Sequence, residues 1–171
     1  MIRFVRRQLA TNLGVLRGFS GNTRAILLTE PVWAIPYNLV QTYASVYMLA
    51  LGCTPVQVGL IGSAALVSQL LFSLVGGWIT DRLGRKRTTL VFDLLSWSGA
   101  TLLWAFARGF SWFLAAAIVN SLVRIVMTSW TCLAIEDTAV NQRVHFFTWI
   151  SVAGVVAGFA APLSGVLVGR F

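Results

Sequence analysis

Apolar residues run through this chain in five long blocks, and the polar positions collect between them. A helix crossing hydrocarbon needs about 20 mostly apolar residues. Five segments meet that length, near Ala25–Leu51, Val56–Thr80, Thr89–Ala107, Trp112–Ile135 and Phe146–Val168. The pattern therefore predicts an all-α membrane protein with about five transmembrane helices. Residues 1–24 precede the first block and form a basic segment, with bases at positions 3, 6, 7, 17 and 24. Its apolar positions Phe4, Leu9, Leu13, Leu16 and Phe19 suit a segment lying on the membrane surface. Residues 25–171 form the transmembrane domain.

The connections differ sharply in character. Gly52–Pro55 is short and uncharged, and Arg108–Ser111 carries one base. Asp81–Arg87 packs one acid and four bases into a turn that cannot lie in hydrocarbon, and Glu136–Arg143 is again polar. If the amino terminus lies inside, ten bases fall on the inner side, Arg108 and Arg170 fall outside, and Arg124 lies within the fourth block. That bias predicts a cytoplasmic amino terminus. Gly77 and Gly84 flank the basic turn, where small side chains and free backbone angles let two helix ends approach closely.

Composition narrows the class further. The chain has 171 residues, of which 57% are hydrophobic and 11% charged, against about 25% charged in a soluble domain. The net charge of +8 sits at the block ends rather than along a helix face, which excludes a nucleic-acid footprint. Cys53, Cys132 and the single His145 have no partners at metal-ligand or disulfide spacing. The sequence holds no nucleophile–base pair and no nucleotide-binding glycine loop. No catalytic site, metal or cofactor is expected, and an enzyme or an ATP-driven pump has no support.

Gly77, Asp81, Arg82, Gly84, Arg85, Lys86 and Arg87 match the pattern G-x-x-x-D-R-x-G-R-K/R-R without a gap. In this the chain resembles the major facilitator superfamily of secondary transporters, where the pattern marks the loop between spans two and three. The resemblance implies spans one to five of a twelve-span fold built from two six-helix halves, each a pair of inverted three-helix repeats. The expectation is thus an incomplete N-terminal half belonging to a longer protein, with a self-contained five-span protein as the alternative. Implied partners are the lipid bilayer of the cell membrane, a small solute, protons and the missing C-terminal half.

Two groups of residues suggest a polar interior. In span one, Glu30, Ala34, Tyr37, Asn38, Gln41, Ser45 and Met48 recur at three- and four-residue steps, which is one helix face. That face either lines a watery cavity, as the resemblance implies, or glues helices together. Pro31 and Pro36 should bend this helix. In span four, Asn120, Arg124, Thr128 and Thr131 share a face, with Arg124 near the bilayer midplane. A midplane arginine costs roughly 2.5–3.5 kcal/mol by insertion scales and needs a partner. The resemblance implies proton coupling or substrate binding for Arg124, although Met127 and Thr128 stand where the family has Gln-Gly. The alternative is a structural hydrogen bond to span one.

Glu136 and Arg143 resemble the acid and base of the loop between spans four and five, which the family sets against the signature turn as a gate. Asp93, one turn inside span three, is expected to be a structural charge paired with a base of that turn. Span five carries Gly154, Gly158, Pro162 and Gly165, a small-residue stripe that resembles the span-five pattern of drug and metabolite antiporters. The function implied is gradient-driven solute transport by alternating access, with proton-coupled efflux as one form. A non-transporting membrane scaffold derived from a transporter half is the second hypothesis.

Overall fold

The structure, a computed structural model, describes residues 19–159 together with Pro162 and Val166. Most of the basic amino-terminal segment, and Gly165 of the span-five stripe, lie outside the described residues. Seven α-helices are present among the described residues: α1 (Gly21–Ala50), α2 (Pro55–Leu83), α3 (Arg85–Asp93), α4 (Ala100–Ala105), α5 (Phe110–Asn120), α6 (Val123–Glu136) and α7 (Arg143–Gly158). A π-helical turn (Leu94–Gly99) joins α3 to α4, and a 3-10 turn (Val140–Gln142) leads into α7. No strand occurs among these residues. Spans one and two fall where the hydrophobic blocks put them. Spans three and four are each interrupted.

The helix ends follow local chemistry. Thr54 caps α2: its hydroxyl accepts from the Gln57 N–H at 3.3 Å, and Gln57 Oε1 accepts from the Thr54 N–H at 2.8 Å. Pro55, which has no N–H to lose, opens the helix. Gly84, at φ 81° and ψ 148°, ends α2 and starts α3. Only glycine adopts that angle cheaply. The charged turn is therefore tighter than expected: Asp81–Leu83 close α2, Arg85–Thr88 open α3, and Gly84 alone is non-helical. Pro31 and Pro36 lie inside an uninterrupted α1.

The chain divides into two compact units. One is Tyr43–Leu133. Its core gathers Ala44, Met48, Cys53, Ile61, Ala107 and the fully buried Phe113. Trp104 meets Phe113 edge-on at 5.0 Å and stacks on Tyr47 at 5.9 Å. Away from this core α2 is apolar on nearly every side, with Leu66, Leu70 and Leu74 at 67%, 63% and 74% exposure. Water would penalise such a surface heavily. Both Pro55–Leu83 and the stretch Phe110–Glu136 are long and apolar enough to cross a membrane.

The other unit joins residues up to Thr42 with those from Ala134 onward. Phe19, Ala134 and Phe146 form its core, with Ile26, Leu27 and Ile150 packed around them. The start of α1 is clasped by the segment after α6. Asp137 Oδ2 accepts from the Asn22 N–H at 2.8 Å, which caps α1 from a distant part of the chain. The Thr23 hydroxyl lies 2.9 Å from that of Thr138 and also donates to the Ala134 carbonyl.

Candidate functional site

At the signature turn, every residue from Asp81 to Arg87 is exposed. The Arg82 guanidinium lies over the Trp78 ring, 4.3 Å from its centroid, a cation–π contact that fixes one of the four bases. Thr80 is buried and donates to the Gly76 carbonyl at 2.7 Å. Thr88 is fully buried, and its hydroxyl has no hydrogen-bond partner among the described residues.

The close helix approach expected at Gly77 falls one residue earlier. A Cβ on Gly76 would lie 3.3 Å from Thr128 Oγ1 and 3.4 Å from the Ile125 Cα, whereas one on Gly77 or Gly84 would meet nothing within 4 Å. One residue turns a helix position by about 100°, so Gly76 points into the α2–α6 contact and Gly77 away from it. The role of Gly84 is conformational.

A polar seam crosses spans two, three and four within the Tyr43–Leu133 unit. Arg124 Nε donates to Gln69 Oε1 at 2.7 Å. The structural partner expected in span one thus belongs to span two. Just before Arg124, span four breaks at Ser121–Leu122, and the chain tightens into three-residue bonds, Arg124 N–H to the Ser121 carbonyl and Ile125 N–H to the Leu122 carbonyl. The break is tied from both sides. Ser121 Oγ shares its proton between the Ala117 carbonyl of its own helix at 2.7 Å and the Ala65 carbonyl of α2 at 3.1 Å. Asn120 Nδ2 donates at 2.9 Å to the Ser96 carbonyl, inside the π-helical turn of span three. Thr89 and Ser129 pair their hydroxyls at 2.8 Å. Asp93 ends α3, and its carbonyl accepts from the Ser96 hydroxyl at 3.3 Å.

Gln69 was the residue that sequence reasoning missed. The signal was there, because it is the one amide between Val58 and Thr80 in an otherwise apolar run relieved only by serines and glycines. The π-helical turn and the break at Ser121 have no comparable signature.

In the other unit, the span-one face is graded. Ala34 is buried, Glu30, Tyr37 and Asn38 are half-buried, and Gln41 is exposed. Asn38 Nδ2 donates to the Ala34 carbonyl of its own helix at 2.8 Å. Its Oδ1 comes within 3.8 Å of where a Gly158 Cβ would stand, an ordinary contact distance, so Gly158 faces span one, while Gly154 faces open space. Glu136 ends α6 and is exposed; Arg143 opens α7 and donates from Nε to the Thr138 carbonyl at 3.4 Å.

These features define the class: a helical membrane protein in which many polar groups bond within their own helix or to a neighbouring one, with a charged glycine turn joining two helices. The chain belongs to the Major Facilitator Superfamily, a family of membrane transporters whose profile matches residues 32–171. It is 28% identical over 123 residues to the quinolone resistance protein NorA of Staphylococcus aureus, covering 71% of this chain and 31% of that protein. It is 27% identical over 109 residues to solute carrier family 2, facilitated glucose transporter member 10 of Danio rerio, covering 64% of this chain and 21% of that protein. The chain thus spans less than a third of the length of these relatives. No solved structure matches it.

Proposed function

We propose that the chain is part of a secondary transporter that moves a small organic solute across the cell membrane by alternating access, driven by a gradient, with proton-coupled efflux as one form. Its amino terminus would be cytoplasmic and its working partner a C-terminal half of the same fold. The observation that carries the reading is the Arg124–Gln69 pair within a chain of this family. A guanidinium in a membrane-spanning segment is expensive and is retained where it meets water, a proton path or a solute. The relatives named for glucose and quinolones support a small organic solute. Glu30, Asn38, Gln41 and Arg124 are the residues assigned to the cavity.

The signature turn would act as a gate with Glu136 and Arg143, its charges latching helix ends in one state of the cycle and releasing them in the other. Replacing Asp81 with Ala in the full-length protein should reduce transport severalfold while leaving membrane insertion intact; unchanged transport would remove the gate role. A non-transporting scaffold is the second reading. It is favoured by the hydrogen bonds of Asn120 and Ser121, which place two span-four polar groups in helix contacts rather than in a water path.

A further inference from the structure

Arginine recognises oxyanions through a planar fork of donors, either side-on through Nε and one Nη or end-on through both Nη atoms. In Arg124 the side-on edge is taken, because Nε donates to Gln69 Oε1 at 2.7 Å. Among the described residues Arg124 makes no other side-chain hydrogen bond, and the residue is exposed. Both Nη nitrogens are therefore open. The start of α6 cannot serve as the anion cradle instead, because the N–H groups of Arg124 and Ile125 already bond the Ser121 and Leu122 carbonyls. The backbone beneath the arginine is held as well: Gly76 lets α2 come against the Arg124 carbonyl and Ile125, and the Ser121 hydroxyl, shared between Ala117 of its own helix and Ala65 of α2, lies across the same contact.

We infer that Gln69 is a positioning residue that holds the Arg124 guanidinium by its Nε edge and leaves its Nη pair to receive a carboxylate of the solute end-on. This rests on the transport reading and narrows it to solutes that carry an oxyanion. A neutral amide suits the task. It fixes the fork without cancelling its charge, whereas a glutamate at position 69 would neutralise it and occupy it.

The inference can be tested by labelling with phenylglyoxal, which attacks the Nη atoms of free guanidinium groups, in membranes containing the full-length protein. Mass spectrometry of the Arg124 peptide reads the extent of labelling, and the exposed Arg108 serves as an internal control. Benzoate should slow labelling of Arg124 and leave Arg108 unaffected. Its neutral counterpart benzamide should do neither. In Gln69→Leu, equal protection should need about tenfold more benzoate, the value of one hydrogen bond to a charged group. In Gln69→Glu, which keeps the side-chain size and the acceptor and so guards against a folding failure, benzoate protection should vanish. Equal protection in the wild type and Gln69→Leu would overturn the inference. So would protection by benzamide, or an Arg124 that phenylglyoxal never reaches. Carboxylate protection in a protein that moves no solute would instead sink the transport reading and leave the Gln69 assignment standing.

Discussion

Thr88, Gly76 and Gly77 show how much a single position can decide. The Thr88 hydroxyl is fully buried and has no partner among the described residues, and such a group costs about 1–3 kcal/mol. Thr88→Val keeps the shape and removes the hydroxyl, so it should stabilise the purified protein in detergent by about 1 kcal/mol. A loss of stability in a denaturation series would show that the hydroxyl has a partner. The adjacent glycines should respond unequally to one substitution. Gly76→Val forces a branched side chain against the Ile125 backbone and should cost about 1–3 kcal/mol. Gly77→Val faces open space and should cost about 1 kcal/mol or less. Equal melting points for the two variants would refute the α2–α6 contact. The sequence showed a glycine pair but not which glycine faced a neighbour, because that depends on the rotation of α2 about its axis.

At the scale of elements, hydrophobic block length located the helices well because the cost of an unbonded backbone in hydrocarbon leaves few alternatives. Boundaries were legible where chemistry marks them: Thr54-Pro55 at a start, Gly84 at a stop. The interruptions of spans three and four were not legible. Both sit beside side chains that reach across helices, Asn120 to Ser96 and Ser121 in part to Ala65, and those pairings need the three-dimensional arrangement. Asn120→Ala should leave the Ser96 carbonyl without that donor and cost about 0.6 kcal/mol, the average measured for hydrogen bonds between membrane helices, and no more than about 1.7 kcal/mol, the largest measured. Chemical denaturation of the variant beside the wild type checks it, and an unchanged midpoint would mean the bond contributes nothing. The clasp at the start of α1 was equally hidden. Asp137 reads as one more loop acid, yet it caps a helix 115 residues away. Asp137→Ala should cost about 1 kcal/mol, as loss of a helix cap usually does, whereas Asp137→Asn should retain most of the stability. Similar losses in both variants would point to the charge rather than the cap.

For the whole molecule, the charged turn made the family legible from seven residues, and the family match over residues 32–171 agrees with it. The interior was legible only in outline. The polar residues of spans one and four stood out as candidates for a cavity, but they did not reveal that Arg124 reaches span two, because the pairing geometry of helices is not written in spacing. A transporter requires the polar face of span one to meet water. A membrane-impermeant thiol reagent tests it most directly, in full-length protein with Cys53 and Cys132 replaced by Ala, Asn38→Cys and Gln41→Cys introduced one at a time, and the reagent applied from each side of the membrane. A solute path predicts that Gln41→Cys reacts and that added solute alters its rate. Two cysteines that the reagent never reaches from either side would contradict the transport account and leave the scaffold in its place.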